Sequence, residues 1–197
     1  MEYSIRKEGN KYYILRDGVV LDTPNGNKVS TTNEHLAAEL QKALNEGESY
    51  KDGTSILCYH YSFLDFGEEI RQHVKGLSYE TFMRDQFLML GQDAPVRIAI
   101  AQAFSEIVPE HLESLPLHRQ MAYVCLFSIS DSIMLPYYVD DRVLQDQNPE
   151  AALETFLEEL KDFYCENEEP EKDAKATVEE LAPYIKVFIK YSGYDEV

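Results

Sequence analysis

The sequence predicts an α+β protein in which an N-terminal antiparallel β-meander lobe with one helix, residues 1–61, precedes a C-terminal all-helical domain, residues 62–197. Three observations carry this. The dipeptides Asp17-Gly18 and Asn25-Gly26 each stand between β-favouring residues, where tight hairpin turns need positive φ. Beyond Leu64 glycine becomes sparse and apolar residues recur with a period of about 3.6. A chain of 197 residues is also long enough to bury a real hydrophobic core.

In chain order, the expected strands are Ser4–Lys7, Tyr12–Arg16, Val19–Leu21 and Lys28–Ser30, separated by Gly9-Asn10 and the two turns. Thr31 with Glu34 three residues on reads as a capping box, and Leu36, Leu40 and Leu44 continue a helix until Gly47. Ile56-Leu57-Cys58-Tyr59-His60-Tyr61 reads as a last short strand. Ser78 with Thr81 opens a helix ending at Gly91. The next starts around Pro95 and is apolar on most sides through Val96, Ile98, Ala99, Ile100, Ala103, Phe104 and Ile107, which predicts a central position. Pro109, Pro116, Pro136 and Pro149 punctuate the rest of the chain. Helices are expected after Pro116, running as far as Met134, around Phe156 and Leu160, and from Val178 to Ile189, where Pro183 starts the last afresh or interrupts it. Between the last two, residues 166–173 form an acidic linker around Pro170.

Charge narrows the function classes. With 36 acidic against 18 basic residues the net charge is -18, which repels phosphate backbones and anionic membrane surfaces. No nucleic-acid or membrane partner is expected, and a protein partner, basic by preference, is. Cys58, Cys125 and Cys165 are widely spaced and suit neither a disulfide framework nor a metal knuckle. No stretch is apolar for long enough to span a bilayer, and no leader or Arg-rich transit pattern opens the chain, so a cytoplasmic, bacterial protein is expected.

Chemical motifs are sparse. The five histidines form no pair at zinc-helix spacing, and neither a phosphate-cradling glycine loop nor a nucleophile elbow around Ser128, Ser130 or Ser132 is present. No metal, no cofactor and no catalytic residue is expected. Asp131, Asp140 and Asp141 lie on or just after the most apolar helical stretch, where a carboxylate must be hydrated, paired or functional, and so mark a possible acidic site. In the alternative reading Asp131 caps a helix break or pairs with Arg119 or Arg142, while Asp140 and Asp141 face water. Tyr12, Tyr13, Tyr59 and Tyr61 on the expected strands suit either a binding face or a half-buried sheet.

The order Asp17-Gly18, Thr23-Pro24, Gly26, then Leu36-Ala37 opening a helix resembles the start of the F1 ATP synthase assembly chaperones that hold the α subunit. The likeness is best over residues 12–43 and returns in Leu57-Cys58-Tyr59. The family's Glu-Trp at the end of the first helix and its Pro-Leu-Thr segment have no counterpart; Glu48–Gly53 stands there instead, and the chain has no tryptophan. The resemblance implies a non-catalytic scaffold that captures an unassembled ATP synthase α subunit. Two other functions fit the composition: an acidic inhibitor or immunity-type protein that neutralises a basic partner by charge, and an enzyme with a carboxylate site near Asp131 and Asp140.

Overall fold

A computed structural model describes residues 2–89, 93–166 and 171–197. A small antiparallel sheet at the N-terminus leads into a run of helices, so the α+β layout read from the sequence holds. Strand β2 (Lys11–Arg16) is central. It pairs along its full length with β1 (Tyr3–Glu8), Tyr3 opposite Arg16, while β3 (Val19–Val20) and β4 (Ser30–Thr31) share its other edge. Asp17 and Gly18 both take positive φ, 50° and 84°, as a primed two-residue turn requires.

The second turn differs from expectation. Only Gly26 has positive φ there, and its N–H donates to the Thr23 carbonyl at 2.9 Å. The turn is therefore Thr23-Pro24-Asn25-Gly26, with Pro24 in the second place where its fixed φ fits, followed by Gly26 as a left-handed bulge. An isolated bridge between Asp22 and Lys28 closes it, and the strand expected at Lys28–Ser30 is shorter and shifted, β4 starting at Ser30 and ending at Thr31.

Helix α1 (Glu34–Asn45) lays Leu36, Ala37, Leu40 and Ala43 on the sheet, where Ile14 and Val29 are fully buried. Its cap is Asn33, whose side chain accepts from the Leu36 N–H at 3.1 Å. Thr31 instead accepts from the Asn33 N–H at 2.9 Å, and Glu34 accepts from the Tyr12 hydroxyl, so the expected capping box gives way to a cap two residues later.

Residues 56–61 are not a strand. They are the first turns of α2 (Ile56–Lys75), capped by Ser55, and five of the six are buried. Burial on all sides removes the periodic signal by which sequence separates helix from strand. Helix α2 packs against α1 and, in the helical half, against α5 (Ala94–Ser114), α6 (Leu117–Ser130) and α9 (Glu171–Ser192).

The helix expected from Ser78 is split into α3 (Tyr79–Met83) and α4 (Gln86–Met89), and its expected end at Gly91 lies outside the described residues. Asp85, at the break, is almost completely buried. It accepts from the Leu88 N–H, the Met134 N–H and the Ser132 hydroxyl, and so caps both α4 and α7 (Met134–Val139). Burial pushes its carboxyl above the ordinary value against the pull of those donors.

Helix α5 runs straight through Pro109 and α9 through Pro183. The expected central position of α5 is not found: Ala101, Val108 and Leu112 are its only fully buried side chains. After α6, Asp131 takes a left-handed conformation and ends the helix at Ser130, four residues short of the expected Met134. Helix α7 runs into a π-helical turn, Asp140–Leu144. Helix α8 (Pro149–Glu166) then packs on α9 and on that turn. Half of the acidic linker read at 166–173, residues 167–170, lies outside the described residues; of the rest, Glu166 ends α8 and Glu171–Asp173 open α9, so those positions are helical rather than linker.

Candidate functional site

The three aspartates separate in space and in role. Asp131 is a backbone device, the left-handed residue that ends α6. Asp141 is exposed on the π turn. Asp140 points the other way and is only 1 % exposed, which corrects the expectation that it faces water. The widened π turn carries the chain past α6 so that neighbouring acids face opposite directions.

Around Asp140 stand three partners from two helices. Arg119 of α6 donates to Oδ1, His111 of α5 approaches Oδ2 through Nε2 at 2.8 Å, and the Tyr123 hydroxyl of α6 donates to Oδ2 at 2.7 Å. Because a carboxylate only accepts, the proton of His111 sits on Nε2. Burial, and after it the Asp140 charge, push the Tyr123 hydroxyl far up, so it stays a donor. The carboxylate is thus neutralised and its oxygens are occupied, an arrangement that clamps α5, α6 and the π turn. His111 keeps a third of its side chain exposed and Arg119 a fifth, so the cluster reaches the surface at one edge. Among the described residues no group of three or more His, Cys, Asp or Glu side chains is placed to hold a metal ion.

A second polar cluster joins the lobe to the helices. The His60 ring on α2, fully buried, lies 3.0 Å through Nε2 from the Ser30 carbonyl and 3.2 Å through Nδ1 from the Tyr191 hydroxyl of α9. A carbonyl fixes the tautomer: Nε2–H donates and Nδ1 accepts. Burial lowers this imidazole from its ordinary value to about 4. His118, also lowered by burial, sits beyond Tyr191 with Nε2 2.8 Å from the Tyr194 carbonyl. The two histidines either side of Pro116 therefore serve separate clusters.

The motif residues at the N-terminus take structural places. The Asp17 carboxylate accepts from the Glu2 N–H at 3.0 Å. Thr23, nearly buried, donates its hydroxyl to Asp65 on α2, and Asn27 adds a second bond to the same carboxylate at 2.9 Å. Asp65 thereby latches the Thr23–Asn27 turn to α2, a role that nothing local to Asp65 announces. Leu36 and Ala37 are fully buried against the sheet, and Tyr59 belongs to the core rather than to a binding face.

Among the clefts on the described surface, one of about 430 Å³ lies between α8 and α9, and two of about 440 Å³ border α2. One, between α2 and α6, is lined by Cys58, Ser62, Phe66, Ile70, Cys125 and Ser128. Burial pushes the Cys125 thiol up to about 12 and raises Cys58, so neither is poised as a nucleophile. The other runs between the lobe and the helices past Arg16, Pro24, Tyr50 and Tyr61, with the two tyrosine rings stacked at 5.4 Å. No described helix is long and apolar enough to cross a membrane.

Comparison of the chain with protein-family models, with curated protein sequences and with solved structures returns no match.

Proposed function

We propose that this is a non-catalytic protein-binding protein of the F1 ATP synthase assembly-chaperone kind, working in the cytoplasm and holding the α subunit before it is assembled. The observation that carries the reading is apolar surface on the helical half: Phe66, Val96, Ile98 and Ile107 are four of the six large hydrophobic side chains left exposed among the described residues. The N-terminal likeness adds support, since its turn and helix residues are those that build the lobe. Asp140, the strongest candidate for a catalytic carboxylate, has its lone pairs taken by Arg119, His111 and Tyr123.

A pull-down from the native host tests the reading. Recovery of the ATP synthase α subunit, weakened only modestly by salt, supports it, because burial of apolar surface is not screened. The charge of -18 favours a second reading, an acidic inhibitor of a basic protein. Recovery of a basic partner without the α subunit, with an association rate that collapses as salt rises, replaces the first reading with the second.

A further inference from the structure

Helix α5 has the composition of an interior helix and the position of a surface one. Its buried side, through Ala101, Val108 and Leu112 with Phe104 beside them, meets its neighbours α2, α3 and α4. On the opposite side Val96, Ala99, Ala103 and Ile107 fall within an arc of about 100° and run for about 16 Å along the axis. All four are exposed, Val96 by 43 % and Ile107 by 49 %. This is a second apolar stripe, of the width that usually faces a core, left exposed among the described residues.

We propose that this stripe docks an amphipathic helix of a partner protein, one that carries lysine or arginine beside its own apolar face. The inference rests on the protein-binding reading above. Ala99 and Ala103 in the middle of the stripe let a second helix axis come close, while Val96 and Ile107 bracket it as the larger contacts. The border chooses the charge of the occupant. Glu106 borders the stripe on one side, Glu110 continues its line one turn beyond Ile107, and Glu113 follows on the Glu106 side, all exposed and none in an ion pair among the described residues. A second copy of the chain would bring the same glutamates and a charge of -18 against themselves, which disfavours self-association.

The test uses the full chain and a fluorescein-labelled peptide of leucine and lysine in helical amphipathic order, about 18 residues long, with a leucine–glutamate peptide as control. Fluorescence anisotropy at physiological ionic strength should show the lysine peptide bound and the glutamate peptide not. The double variant Ala103→Glu, Ile107→Glu alters exposed positions only, and unchanged circular dichroism and melting temperature verify its fold. It should weaken peptide binding by about tenfold or more, whereas Val19→Glu on β3 and Phe66→Glu on the α2–α6 cleft should leave it within about twofold. Reversing the border with Glu106→Lys, Glu110→Lys and Glu113→Lys should move preference to the glutamate peptide. Equal weakening by Val19→Glu would reduce the effect to general charge and overturn the site; loss on Phe66→Glu alone would move the helix to the other cleft. A wild-type dimer in sedimentation that the double variant abolishes would overturn the occupant. The double variant is also carried into the pull-down: undiminished capture of the α subunit overturns the α5 face and leaves the protein-binding reading standing. Absence of the α subunit from the wild-type pull-down removes that client and leaves the peptide result to decide the face.

Discussion

Lowering the pH from 7.5 to 5 should destabilise the fold through His60, by an amount that can be worked out in advance. The ring is neutral where it sits, its value lowered from 6.5 to about 4. A histidine in the unfolded chain binds its proton at the ordinary value, so between the two values the unfolded state holds more protons. Stability is then fully present above about 6.5 and is lost as the pH falls toward 4. At pH 5 the unfolded histidine is almost wholly charged and the folded one about a tenth charged, which gives a loss of about 2 kcal/mol relative to pH 7.5. At pH 4 it approaches 3 kcal/mol.

Every group facing His60 has a defined sign. The Ser30 carbonyl favours the proton, the Tyr191 hydroxyl accompanies the neutral ring, and His118 beyond Tyr191 is lowered by burial and adds to the loss. Away from this cluster, Asp85, raised by burial, opposes the loss, because its carboxyl takes up a proton more readily folded than unfolded and so adds stability as the pH falls. The assay is urea unfolding of the wild type and of His60→Gln at both pH values, since the glutamine amide can keep one donor and one acceptor. The difference in stability between the two pH values should shrink by about 2 kcal/mol in the variant. An identical pH difference in both proteins would refute the reasoning.

The geometry fixes three further outcomes. Asp140→Ala leaves the Arg119 guanidinium and the Tyr123 hydroxyl without their acceptor and should lower urea stability by about 3 kcal/mol, with Asp140→Asn falling between it and the wild type. Gly26→Val should reduce stability by about 1 kcal/mol or somewhat more, from backbone strain alone, because a Cβ there meets nothing within 4 Å at φ 84°; an unchanged melting temperature would count against the bulge. Cys125 should resist alkylation at pH 8 in the folded protein and react once urea unfolds it, because burial holds its thiol protonated to about 12. Rapid labelling of the native protein at that residue, located by mass spectrometry, would contradict this.

What could be read from the sequence was local. Asp17-Gly18 announced a primed turn because two adjacent residues specify it, and Leu36, Ala37 and Leu40 announced the sheet-facing side of α1 by spacing alone. The start of α2 was hidden because Ile56, Leu57, Tyr59, His60 and Tyr61 are buried on every side, and a residue covered all round leaves no polar phase to count. For α5 the composition was read correctly and the position wrongly, since a sequence cannot say which of two apolar sides the rest of the chain will cover. The acidic site suffered from range. Asp140 and Asp141 look alike in the sequence, and what distinguishes them is a π turn and a histidine 29 positions away. Asp65, 38 residues from Asn27 and surrounded by aromatic neighbours, gave no sign of being the anchor of a turn.

The meeting of His60 with Tyr191 also sets an order on biosynthesis. The sheet closes among residues that emerge together, but the hydroxyl that completes the His60 cluster comes 131 residues behind it. At ordinary translation speeds that interval is on the order of 10 s. Throughout it the nascent chain holds Tyr59 and His60 without the turns of α9 that cover them in the fold. Until Tyr191 is made, Nδ1 of the imidazole lacks the hydroxyl that meets it in the fold. Synthesis of α9 is therefore the step that lets the lobe and the helical half close on each other through this cluster.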